Sequence, residues 1–214
     1  MRLYLIQFLI FLSTASLHVS CNTYRKMQKI QADNSCVQKF KPYFDHTLYK
    51  TSVDVIGKHL TGILLIKKML DSTTRIVFTS ETGFTFFDFG FQAENGFSVY
   101  QITSQMNKKA LIKTLRKDFD LILFRNMEAS KYFTLTDSLL LYHAFPQSSG
   151  INYYITDNSC SKLVKMQRAS EKKPIMEAYL KINAGNSSPD TIMIRHLNFN
   201  FSINLIKISA LALQ

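Results

Sequence analysis

Three features of this 214-residue chain predict a mainly β fold: a strongly curved antiparallel sheet forming an open (unclosed) β-barrel, with one or more helices covering its concave side. From about Thr47 the hydrophobic period drops to two and holds, between short turn signals, as far as Ile102. An amphipathic helix pattern then interrupts the strands after Met106. Finally, Leu197, Phe199, Phe201, Ile203 and Leu205 alternate strictly with polar residues, the mark of a strand with one buried and one wet face. A sandwich is the alternative, but seven Gly and four Pro are few for its turns, and it would not carry a central helix.

The first twenty residues stand apart from that fold. Arg2 is followed by an apolar run from Leu3 to Leu12 and a small, polar stretch ending at Ser20, just before Cys21. This reads as a signal peptide over residues 1–20, too short to span a bilayer as a mature helix. Two readings of Cys21 stay open: a chance neighbour of a cleaved signal, or a lipidation site. Leu17 and Ser20 fit a relaxed lipobox and His18 does not. Residues 21–46 read as a lipidated tether with a short helix, and 47–210 as the half-barrel domain.

The meander begins with "LYKTSVDVIG" and "HLTGILLIKK", with Gly57-Lys58 as a tight hairpin turn. In the second run Leu60, Gly62, Leu64 and Ile66 share one face, and Thr61, Ile63, Leu65 and Lys67 the other. "RIVFTS", "GFTFFDFGF" and "FSVYQI" follow, the last two separated by the Asn95-Gly96 turn signal. Gly83–Phe91 holds five of the chain's 17 phenylalanines. Phe84 and Phe86 share one face of an ideal strand, and Phe87, Phe89 and Phe91 the other. A β-bulge between Phe86 and Phe87 would reconcile them and add curvature. The five rings then either close a core under the helix or, with Ile63, Leu65 and Val77, line an apolar cavity.

In "NKKALIKTLRKDFDLIL", Leu111, Ile112, Leu115, Phe119 and Ile122 form an apolar stripe, with Asn107 as the expected N-cap. Lys108, Lys109, Lys113, Arg116 and Lys117 make the other side basic: a solvated face, or one that meets anionic head groups. Asp118 and Asp120, at the helix end, read as solvated, and Asp88 and Asp157 as solvent-side strand residues. "SLLLYHAF", "INYYITD", "KLVKMQRAS", "IMEAYLKINA" and "IRHLNFNFSINLIKIS" complete a count of about ten strands.

Composition narrows the chemistry. The formal charge is +11, and removing residues 1–20 takes away Arg2 and no acid. For an exported chain this favours anionic lipid or envelope surfaces; no nucleic-acid-binding motif is visible. Three cysteines leave Cys36 and Cys160 once Cys21 is set aside, either as a disulfide or as two separate buried thiols. No nucleophile elbow, HExxH, P-loop or dinucleotide fingerprint occurs, and the histidines lack metal-ligand spacing. The expectation is therefore a non-enzymatic protein with no cofactor and no metal.

The lipobox-like Cys21, the meander "GILLIKK…RIVFTSETGFTFFDFGF…FSVYQI", the helix after it and the closing "HLNFNFSINLIKI" together resemble the LolA/LolB-like lipoprotein-localisation factors, in particular small LolB-like outer-membrane lipoproteins of Bacteroidota type. The resemblance covers roughly residues 47–208 and rests on pattern and order. It implies an unclosed barrel whose apolar concave side accepts acyl chains of lipoproteins, in a monomer lipid-anchored at the outer membrane and facing the periplasm. The competing expectation is a structural envelope lipoprotein with a packed barrel and no lipid ligand.

Overall fold

The computed structural model describes residues 23–209, apart from 34, 56 and 184; the expected signal segment and the candidate lipidation site Cys21 lie outside the described residues. The strands are β1 (Gln28–Ile30), β2 (His46–Val55), β3 (Lys58–Lys68), β4 (Thr74–Thr79), β5 (Thr85–Phe91), β6 (Phe97–Ile102), β7 (Phe133–Thr136), β8 (Leu140–Pro146), β9 (Ile151–Asp157), β10 (Leu163–Ala169), β11 (Pro174–Lys181), β12 (Thr191–His196) and β13 (Phe201–Lys207). All belong to one antiparallel sheet in the order β1-β7-β8-β9-β10-β11-β12-β13-β2-β3-β4-β5-β6. Its edges, β1 and β6, do not pair, so the barrel is open.

Two meanders meet where β13 pairs with β2. The first ends at the β6 edge, and the second begins at β7, one strand from the opposite edge. A connection between them must cross the open side. That connection is α2 (Lys109–Ile122), which follows α1 (Ser35–Gln38) in chain order. Leu115 and Phe119 of α2 enter the same buried cluster as Phe87, Phe89 and Phe91 of β5. The N-cap of α2 is Lys108, with no side-chain cap bond, not Asn107 as the sequence suggested.

Curvature comes from irregular pairing. The β4–β5 register slips between Phe78 and Thr79: Phe78 pairs with Phe87 and Thr79 with Thr85, leaving Phe86 as the extra residue. This is the bulge that the phenylalanine spacing predicted. The β5–β6, β9–β10 and β10–β11 pairs also slip, and each bulge bends the sheet further. In the turn between β5 and β6 the left-handed pair is Glu94-Asn95 (φ 53° and 65°), one residue earlier than the Asn-Gly signal suggested.

The final alternating run is not one strand. β12 and β13 form a hairpin, and residues 197–200 turn between them. Leu197 and Phe199 are exposed, whereas Phe201, Ile203 and Leu205 are buried. The alternation keeps its parity through the turn, so the period alone hides the break. β1 and β7, three and four residues long, were missed because so short a run carries no usable period.

The segment before β2 packs onto the sheet over part of its length. On the concave side, Val37 and Phe44 join the main core. The structure joins Cys36 to Cys160, in the turn between β9 and β10, with Cα atoms 6.0 Å apart. On the convex side, Tyr24 stacks on Tyr153 with ring centroids 4.6 Å apart, within a smaller apolar cluster.

Candidate functional site

The concave side is filled at one end and hollow at the other. Phe89 and Phe91 pack against Phe97, and Phe91 also against Phe119, in solid core. Toward the β2–β3 and β4–β5 turns, a cavity of ≈ 730 Å³ lies between the sheet and α2. That lies within the size range of small-molecule sites, about 300–1,000 Å³. Its deep wall is buried and apolar: Leu64 of β3, Phe78 of β4, Phe87 of β5, Leu115 and Phe119 of α2 and Ile203 of β13. The exposed lining residues mark the mouth: Lys58, Phe84, Ser104, Gln105, Lys108, Ala110 and Phe199.

The phenylalanine stretch is thus divided along its length. Phe84 stands 57% exposed at the mouth, edge-on to Phe86 at 5.6 Å. Phe86, the bulged residue, stacks on Phe78 at 4.8 Å and forms part of the wall with it. Phe87 is shared between cavity and core, stacking on Phe89 at 4.5 Å. Phe89 and Phe91 were expected to line the cavity; they lie in the packed core beyond it. The bulge accounts for the split, since it puts Phe86 on the concave side together with Phe87.

Ile63, Leu65 and Val77 are corrections of a different kind. All three lie on the convex face: Leu65 pairs with Val77, Ile63 with Thr79, and none lines the cavity. The face carrying Leu60, Gly62, Leu64 and Ile66 is the inner one. Both faces of β3 are apolar, so alternation identified two faces without saying which turns inward. Gly62 sits where a Cβ would come within 1.9 Å of the Thr79 carbonyl oxygen, a close approach only glycine permits.

The basic residues of α2 do not form one free patch. Lys108, Lys109 and Lys113 are exposed. Arg116 instead donates to the Asn95 carbonyl at 2.8 Å and lies over the Phe97 ring, fastening the β5–β6 turn. Lys117 donates to the Ser149 carbonyl at 3.4 Å, and burial lowers its pKa.

The acids at the helix end are buried, not solvated. Asp118 is fully buried and accepts from Arg168 Nη2 at 2.7 Å and from His196 Nε2 at 2.8 Å. Asp120 pairs with Arg125 at 3.3 Å, and burial raises its carboxyl pKa. The helix stripe rotates past its apolar residues at the last turn, so these acids enter the core with cations drawn from β10 and the loop after α2. Asp88 pairs with Arg75, whose guanidinium stacks 3.8 Å over Tyr100. Asp157 folds its own turn, accepting from Ser159 at 2.7 Å and from the backbone of Lys162 at 2.9 Å.

The site has no acid–base constellation in its wall; the polar lining is Thr103, Ser104, Gln105, Thr114 and the two lysines. Among the described residues no group of three or more His, Cys, Asp or Glu is placed to hold a metal ion. No helix of the described residues is long and apolar enough to cross a membrane.

No family model matches the chain, and no curated protein matches it. Among solved structures, the chain is similar to a LolA superfamily protein from Nitrosomonas europaea, with a TM-score of 0.46 and 8% identity over 84% of this chain and 93% of that one. It is also similar to a DUF1329 family protein from Desulfovibrio piger, with a TM-score of 0.43 and 10% identity over 81% and 88% of the two chains.

Proposed function

We propose that this protein binds acyl chains in the hollow end of its half-barrel, as a non-enzymatic, LolB-like envelope lipoprotein acting in lipoprotein localisation. In this reading Cys21 carries the anchor, the mature chain is a monomer on the periplasmic face of the outer membrane, and the cavity receives lipid from that side. The observation that carries it is the ≈ 730 Å³ cavity with a deep wall of buried aromatic and aliphatic side chains. A water-exposed void of that composition is unfavourable to leave wet, and each methylene that fills it contributes about 0.8 kcal/mol. The lipobox-like sequence at Cys21 supports the anchor.

The test is lipid extraction from the full chain exported as Cys21→Ser, which has no thiol there to acylate. Mass spectrometry of the extract should find long-chain lipid at near-stoichiometric amounts. A lipid-free protein that also fails to take up a fluorescent fatty acid would leave the structural-scaffold reading in its place.

A further inference from the structure

We infer that the cavity takes one acyl chain at a time and selects a chain bearing an anionic head, with the head held at the mouth by Lys58 and Lys108. This rests on the acyl-binding reading above and narrows it to a ligand class. The first argument is volume. A methylene fills about as much space as a water, about 30 Å³ in the liquid. A cavity of ≈ 730 Å³ therefore holds on the order of twenty methylenes, room for one long acyl chain.

The second argument is charge. The lining contains two charged residues, Lys58 and Lys108, both cations, and no carboxylate. Both are exposed, so they belong to the mouth, while the deep wall is apolar. Among the described residues, neither ammonium has an ion-pair partner within 4.0 Å, so both charges are open to a ligand's head. Lys58 is the first residue of β3 and Lys108 the N-cap of α2, so the two cations reach the mouth from the sheet and from its helical cover. The exposed Ser104 and Gln105 add hydrogen-bonding groups at the mouth. An amphiphile entering tail first would bury its chain against Phe78, Phe86 and Phe87 and leave its head among these groups. A carboxylate and a phosphate share the needed chemistry: negative charge and several acceptor oxygens.

The Cys21→Ser full chain is loaded with cis-parinaric acid, and displacement is measured with oleate, 1-oleoyl lysophosphatidate and oleyl alcohol. At least one of the two anions is expected to compete about tenfold better than the alcohol, as two charge-assisted contacts at an exposed rim imply. The better of the two identifies the head as carboxylate or phosphate. Lys58→Ala with Lys108→Ala should erase that preference at an unchanged melting temperature. Native mass spectrometry should count one oleate per chain. Equal competition by the alcohol in the unsubstituted protein, or two or more bound chains, would overturn the selection and leave acyl binding standing. No displacement by any of the three would overturn both.

Discussion

Replacing Asp118 with Ala strips the buried end of α2 of its anion. The carboxylate is fully buried and holds Arg168 at 2.7 Å and His196 at 2.8 Å, with the side chains of these partners 11% and 1% exposed. Neither partner has a substitute nearby: Arg168 Nε and His196 Nδ1 are already buried without a hydrogen-bond partner. Removing one member of such a cluster leaves a buried cation uncompensated, a cost of about 3–5 kcal/mol. With a urea slope of about 1–3 kcal/mol per molar, the unfolding midpoint should fall by at least about 1 M. The assay is urea unfolding at neutral pH followed by tyrosine fluorescence and far-UV circular dichroism. Arg168→Met combined with Asp118→Ala should cost less than the sum of the two single changes, because both remove the same contact. A loss below about 1 kcal/mol for Asp118→Ala would refute the reasoning, since it would mean that the cluster reorganises freely or is hydrated.

Other perturbations probe the frame around the cavity. Gly62→Ala drives a Cβ to 1.9 Å from the Thr79 carbonyl oxygen, so β3 and β4 must part; thermal melts should show a loss of about 1–3 kcal/mol or more. Reducing the Cys36–Cys160 bond, which closes a loop with a sequence separation of 124, should cost about 5 kcal/mol on the chain-entropy account, read as a drop in urea midpoint with added reductant. Glu177 is held down at about 2: burial opposes its charge, but hydrogen bonds from Lys165 and Gln167 outweigh it. Its folded pKa lies below the unfolded value near 4.5, so its contribution is fully present above pH 4.5 and is lost as pH falls toward 2. Glu177→Gln should therefore be less stable than the unsubstituted chain at pH 6, and that difference should shrink toward pH 2.

Much of this architecture is legible in the residues, and the failures share physical causes. The meander from β2 to β6 and the helix after it follow from period and turn chemistry. The Phe86 bulge follows from a parity change that no regular strand could bury. Parity alone could not say which face of β3 turns inward, because Ile63 and Leu65 are as apolar as Leu64 and Ile66; only closure of the sheet under α2 decides it. Nor could it reveal that residues 197–200 turn, since Phe199 keeps the alternation while standing exposed at the cavity mouth. The burial of Asp118 depends on Arg168 and His196, which lie 50 and 78 residues away and arrive only through the tertiary fold. The hollow itself lies between α2 and strands far apart in the chain, a property of packing that no local pattern carries.

The most direct measurement is probe binding to a protein whose cavity has been narrowed from within. Thr114 of α2 lines the cavity and is only half-buried, so Thr114→Trp places an indole in the hollow without displacing core. If acyl chains bind there, cis-parinaric acid fluorescence should saturate with the unsubstituted protein and saturate only at clearly higher concentration with Thr114→Trp, at an unchanged melting temperature. Equal binding by both proteins would contradict the account, because it would put the chain somewhere other than the cavity.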